Sequence, residues 1–533
     1  ARARKAVGMS FWHLIFLAKV GLYFGGYIGL NWWLNLLLWA SMLPPIAHNG
    51  WRRARTAIAI PAAIALLYAD SYLPSPARVR SQLKALSGFS ADYWLELAQR
   101  VFNPEMLLVG LAGIVLYSAL ARRVRAGTFA LLALLSVPVV AALQEQAATS
   151  ATTMAAANGS NSAAAPKDSQ DTSPDALLQR FYASESQRRV QFTAPNGPPA
   201  FDIILLHVCS LSWDDMDFVG QRDNPFLKRF DVLFTNFNSA ASYSGPASLR
   251  VLHGTCGQTP HTKLYEGIDP QCYVFPNLEK VGYQTAALLN HDGVYEEFAH
   301  PLEQRGGLAG KLQSNQGAPV HMQNFDGSPI YNDHALLAQW WKKRSTDRST
   351  GPVALYYNTI SLHDGNRVPG MASRNSLETF KPRLVQLLAD FDRFISELEA
   401  SGRPVVVMLV PEHGASLRGD KIQMSGMREI PGPRITLVPA AVKLVGMKAS
   451  EASPPPGPLV VNQPMSYLGL FTLLGDLIRD NPYASSARPL AERLATPVTT
   501  PFVSENADVI VMRTIDGKYL MRSGNGEWVP YNY

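Results

Sequence analysis

FDIILLHVCSLSWDD (201–215) is the stretch from which the larger, C-terminal part of the chain can be read. Its first eight residues are apolar at nearly every position, the pattern of a strand buried on both faces, and they run straight into a lone cysteine. Comparable runs recur at 232–236, 284–290, 353–359 (VALYYNT), 404–410 (PVVVMLV) and 439–445. Between them the apolar spacing turns helical, most clearly at 332–344 and 374–400. Helices are also expected near 175–189 and at 246–253. Strands alternating with helices predict an α/β domain over 175–533, with a mixed, mostly parallel sheet covered by helices on both faces. In such sheets the functional groups sit beyond the C-terminal ends of the strands.

Upstream the composition changes. A chain of 533 residues exceeds one ordinary domain, and 1–145 is crowded with apolar residues. Five stretches approach the roughly 20 residues that a bilayer core needs, at about 11–30, 32–49, 56–73 (with Pro61), 104–121 and 127–145. Five in succession exclude a signal peptide, while buried core helices are the alternative reading. The net charge of +6 invites a nucleic-acid partner. That class is excluded because much of the excess (Arg2, Arg4, Lys5, Arg52, Arg53, Arg55, Arg122, Arg123, Arg125) flanks the apolar stretches. Basic loops face the cytoplasm, and these three groups are separated by two spans each. Residue 124 is therefore expected inside and residue 160 outside, with the mixed-charge loop 74–103 also outside. Trp32, Trp33, Trp51 and Tyr72 fall near the expected interfaces. Residues 146–174, rich in Ala, Ser and Thr, read as a flexible linker.

Three strand ends of the α/β part carry chemistry. Cys209 follows the first run, Glu412–His413 follows PVVVMLV, and His363–Asp364 lies just beyond VALYYNT. Ser244, in YSGP (243–246), precedes a helix, where unpaired N–H groups favour the negative charge of a nucleophile attacking phosphorus. A cysteine after a strand is commonly only a small buried residue, and a serine before a helix only an N-cap. Glu412–His413 resists such a reading, because burying ionisable neighbours costs desolvation. The chain has three cysteines. Outside the cytoplasm Cys256 and Cys272 suit a disulfide, which leaves Cys209 over. A zinc-bound thiolate accounts for it. Sulfur, imidazole and carboxylate are ordinary zinc ligands, and catalytic zinc keeps one position for the reacting group. The expected set is Cys209, Glu412 and His413, with the Ser244 hydroxyl fourth, where zinc lowers its pKa.

Longer strings then become recognisable. VCSLSWDD (208–215), NFNSAASYSGPASLRVLHGTCGQT (236–259), FDGSPIYND (325–333), SLHDGN (361–366), PEHGASLRGDKIQMSGMREIP (411–431) and ENADVIVMRTIDGKYLMRSGNGEWVPY (505–531) resemble the bacterial cellulose phosphoethanolamine transferases. The resemblance extends over nearly the whole chain and implies an α/β domain like that of alkaline phosphatase. It further implies an inner-membrane enzyme with a periplasmic catalytic domain, associated with cellulose synthase subunits. Such an enzyme moves phosphoethanolamine from phosphatidylethanolamine to the 6-hydroxyl of glucose units in cellulose and releases diacylglycerol. By the same resemblance Ser244 is the nucleophile, and Cys209, Glu412 and His413 hold zinc. Tyr243, His363 and Arg428 bind substrate or assist proton transfer, with His363 the acid and then the base of a two-step reaction, and Cys256 pairs with Cys272. The related transferases acting on lipid A carry Glu, Thr and an Asp-His pair where this chain has Cys209, Ser244 and Glu412–His413. Three rival readings remain: a transferase acting on lipid A or another glycan, a sulfatase or phosphatase, and a non-catalytic scaffold of a polysaccharide-secretion complex.

Overall fold

Alternate residues of one strand enter opposite cores. In β1 (Asp202–Val208), Ile204, Leu206 and Val208 pack on one side of the sheet, while Ile203 and Leu205 pack on the other. The same division holds in β7 (Val405–Pro411), which explains why these strands read as continuous apolar runs. The computed structural model describes residues 2–71, 80, 88–101, 104–120, 125–157, 171–195, 197–347, 351–371, 375–447, 457–524 and 526–533. The chain divides into two units, Ala1–Pro74 with Ala98–Gln170, and Ser75–Leu97 with Asp171–Tyr533.

In the second unit the main sheet also contains β2 (Val232–Asn238), β3 (Gln284–Leu289), β6 (Val353–Thr359), β8 (Leu437–Val445) and β9 (Leu459–Val461). Their order is β3-β6-β1-β7-β8-β2-β9, and only β8 runs against the rest. The mixed, mostly parallel sheet expected from the sequence is therefore present. Helices Asp333–Thr346 and Phe380–Ala400 cover one face, while Val274–Lys280 and Tyr467–Arg479 cover the other. Two further sheets had no counterpart in the sequence reading. They are the hairpin β4 (Val320–Gln323) and β5 (Pro329–Tyr331), and the antiparallel set β10 (Val503–Glu505), β11 (Val509–Arg513), β12 (Tyr519–Ser523) and β13 (Val529–Pro530). Trp213 is buried in the core.

The first unit holds helices Arg2–Phe24, Trp32–Ser41, Asn49–Asp70, Pro104–Leu120 and Ala126–Ala157. Trp12, Phe16, Trp39 and Leu134 form its core, and Lys19 Nζ lies 2.6 Å from the buried Asp70 Oδ2. Among the described residues, no helix is long and apolar enough to cross a membrane. The second helix stops after ten residues, shortly before Pro44–Pro45, whose rings and missing N–H groups oppose continuation. Residues 146–157, read as linker, continue the last helix, in keeping with the high helix propensity of alanine. Residues 158–170, with position 160, lie outside the described residues, as do Tyr72, Arg122, Arg123 and position 124.

Candidate active site

Three parallel strands end level with one another. The Cys209 N–H donates to the Thr359 carbonyl at 2.9 Å, and the Glu412 N–H donates to the Val208 carbonyl at 2.8 Å. The ends of β6, β1 and β7 therefore present Cys209, Glu412 and His413 together, at the edge that the parallel topology singles out. Ser210 follows with φ of 71°, a left-handed backbone that a non-glycine residue adopts only under local constraint.

Ser244 opens the helix Ser244–Leu252, whose N-cap is Tyr243 and has no side-chain cap. Its hydroxyl lies 3.3 Å from Cys209 Sγ and 3.4 Å from His413 Nε2. The N-cap role considered for this serine is thus replaced by contacts to two candidate ligands. The ligating atoms of Cys209, Glu412 and His413 all lie within 4.8 Å of one another, and all three residues are buried. Asn358 Nδ2 donates to Glu412 Oε1 at 2.6 Å, while Glu412 Oε2 has no hydrogen-bond partner among the described residues. His413 Nδ1 donates to the Gly414 carbonyl at 2.9 Å, which leaves Nε2 with its lone pair beside Ser244. Soft sulfur, a neutral imidazole nitrogen and an orphaned carboxylate oxygen around one hydroxyl fit catalytic zinc.

The electrostatics reflect burial. Desolvation, reinforced by the Glu412 charge, pushes the Cys209 thiol up to about 12. Burial also raises the Glu412 carboxyl to about 7. It drives His413 well below its ordinary value, and the Arg428 charge adds to that shift. His363, half-buried, falls to about 4 by desolvation and the same arginine. Its Nδ1 donates to the Asp364 carbonyl at 2.6 Å, so Nε2 is a lone-pair acceptor near neutrality.

Ser244, Tyr243, His363 and Arg428 line one cavity of about 540 Å³. The Arg428 guanidinium sits 5.7 Å from the centre of the Tyr243 ring and donates to Ser210 Oγ at 3.2 Å. The Tyr243 hydroxyl donates to Glu429. All seven residues singled out from the sequence therefore meet at one end of the sheet.

Several supporting residues escaped the sequence reading. Asp215 Oδ2 accepts from the Ala415 N–H at 2.6 Å and Oδ1 from the Leu417 N–H at 3.0 Å, which pins the loop after Glu412–His413. Gly414 permits this approach, since a Cβ there would meet Ser212 Oγ at 2.4 Å and Asp215 Oδ2 at 2.5 Å. His207, inside β1, is buried with Nε2 3.9 Å from Glu412 Oε1. The polar residues inside otherwise apolar strands, Asn358 and His207, were the available signal. Cys256 and Cys272 form a disulfide, and Cys209 is a free, buried cysteine.

Comparison with known proteins bears on this arrangement. A family model described as the cellulose biosynthesis protein BcsG C-terminal domain matches residues 157–528, and the corresponding N-terminal domain matches 12–139. The cellulose biosynthesis proteins BcsG of Escherichia coli K12 and Salmonella typhimurium LT2 are each 36% identical to this chain, over 98% of it and 96% of theirs. A solved structure of an alkaline phosphatase superfamily protein from Vibrio parahaemolyticus is similar over 68% of this chain and 89% of its own, at 14% identity and a TM-score of 0.47. With both halves matched and relatives aligned almost end to end, the chain belongs to the family of the cellulose biosynthesis protein BcsG.

Proposed function

We propose that this protein transfers phosphoethanolamine from phosphatidylethanolamine to the 6-hydroxyl of glucose units in cellulose, through a covalent ester on Ser244. The observation that carries the proposal is the Ser244 hydroxyl. It is half-buried at the first turn of a nine-residue helix, 3.3 Å from Cys209 Sγ and 3.4 Å from His413 Nε2, and opens on the large cavity. Cys209, Glu412 and His413 would hold zinc, which when bound lowers the pKa of a nearby hydroxyl and stabilises charge on phosphoryl oxygens.

In the first step the bond from Ser244 Oγ to phosphorus forms and the bond to the diacylglycerol oxygen breaks. The serine proton ends on that oxygen, carried by His363 Nε2. A glucan hydroxyl then attacks the ester, and its proton returns by the same histidine to Ser244. Because burial and Arg428 keep His363 neutral at rest, it takes up a proton within each turnover before giving one away. This refines the simpler picture of a resting acid. Arg428, beside the same cavity, is placed to meet the phosphate charge.

The donor is a membrane lipid, and we place the N-terminal unit in the bacterial inner membrane, with the catalytic unit in the periplasm. Exposed apolar side chains on its helices, among them Ile58, Ile64, Leu108, Leu116 and Val139, support that reading. The test uses the full chain in phosphatidylethanolamine vesicles with a cello-oligosaccharide. Expected is a product heavier by one phosphoethanolamine, with diacylglycerol released. Release of phosphoethanolamine to water with no glucan product would contradict the proposal.

A further inference from the structure

The segment Gly88–Leu97 comes from the loop between the third and fourth apolar stretches, far in sequence from every site residue, yet it belongs to the second unit. Its helix begins at Ala91, and two of its side chains are buried, Tyr93 at 8% and Glu96 at 2% exposure. Both reach the loop that carries His363. Glu96 Oε1 accepts from the Ser376 N–H at 2.9 Å and from Ser376 Oγ at 3.0 Å, while Oε2 pairs with Arg367 Nη2 at 2.5 Å. Ser376 Oγ sits between two carboxylates, its single proton shared by Glu96 Oε1 and Asp364 Oδ1, and accepts from the Gly365 N–H at 2.7 Å. The Tyr93 hydroxyl reaches Asp364 Oδ2 at 3.5 Å, and Asp364 is the residue whose carbonyl holds the His363 ring.

The wall of the cavity repeats the pattern. Phe89 packs edge-on to Phe325 at 5.3 Å, and Phe325 lies 5.4 Å from the His363 ring. Gly365 has φ of 84°, and a Cβ there would meet Phe325 at 2.5 Å and the Tyr93 ring at 3.0 Å. The loop is thus fitted against this segment at a position where only glycine leaves room.

A buried carboxylate held by partners such as these carries a large desolvation cost unless its geometry is kept. Here the geometry it keeps is that of residues 364–367 and Ser376. We propose that Glu96 and Tyr93 are positioning residues for His363, acting through Ser376 and Asp364, and that the segment Gly88–Leu97 is an integral wall of the active site. The inference about turnover rests on the transferase reading above. The inference about the loop does not.

The test uses the full chain, with Glu96→Gln and the milder Tyr93→Phe. For Glu96→Gln we expect kcat to fall about tenfold or more with KM for the lipid donor changed less than about twofold. Tyr93→Phe should show a smaller fall of the same kind, and Glu96→Asp should recover part of the rate. Glu96→Gln combined with His363→Ala should be no slower than His363→Ala alone, because a residue acting through another adds nothing once that one is gone. Hydrogen exchange at the Gly365 and Ser376 amides should speed up in Glu96→Gln, with or without a working assay. An inactive wild-type chain would defeat the transferase reading, and the exchange measurement would still judge the loop. Unchanged exchange at both amides, or multiplicative losses in the double variant, would overturn the proposal.

Discussion

At the scale of single residues, the candidate ligands are groups that burial pushes toward their uncharged forms, beside the charged Arg428. The Cys209 thiol at about 12 and the Glu412 carboxyl at about 7 are both raised by desolvation. Each must lose its proton to bind a cation, so zinc affinity should rise with pH. The rise should be about tenfold per pH unit above pH 7, where only Cys209 still carries a proton, and steeper below it, where Glu412 does too. Competition with a chelator at several pH values measures this, and a flat profile would mean these residues are not ligands. Cys209→Ser should lower zinc affinity by about a hundredfold or more and reduce activity in parallel, since a neutral hydroxyl replaces a thiolate. Wild-type zinc content in that variant would return Cys209 to a packing role. These residues were legible because each stands where an apolar run stops and chemistry begins. Asn358, Asp215 and Glu96 were not, because their meaning lies in partners 54, 200 and 280 positions away.

Elements differ in how plainly the sequence announces them. The strands β1, β6 and β7 are covered on both faces, so nearly every residue is apolar and the run stands out. The strands β10 to β13 are two to five residues long, too short for a period to declare itself, and β11 to β13 have partly exposed positions. The segment around Ala91–Val101 looked like an ordinary polar loop, since nothing local points to a loop some 270 residues on. Two predictions belong at this scale. Asp215→Ala should cost about 2–4 kcal/mol in urea unfolding, because it strips two buried backbone N–H groups of their acceptor. Zinc should be held less well in the same variant, and unchanged stability together with unchanged zinc would show that the loop is pinned by other contacts. Cys256→Ala should lower stability by about 2–4 kcal/mol, as expected for a bridge closing a short loop. Equal mass of the native protein before and after reduction with alkylation would rule the bridge out.

For the whole molecule, the proposed lipid donor and glucan acceptor would require one chain to work at a membrane while its chemistry faces the polysaccharide. Tethering the site to the donor's own phase raises effective concentration without adding contacts to the site. Reporter fusions after residues 124 and 160 should give opposite signals, the first cytoplasmic and the second periplasmic. The same signal from both would contradict five spans. The central claim is the covalent step on Ser244. The full chain, incubated in phosphatidylethanolamine vesicles without glucan, should gain one phosphoethanolamine mass on the peptide containing Ser244. That adduct should discharge when cello-oligosaccharide is supplied, and it should be missing from Ser244→Ala, which removes one oxygen but leaves Cys209, Glu412 and His413 in place. Full glucan modification by Ser244→Ala, with no adduct on the wild-type chain, would contradict the account.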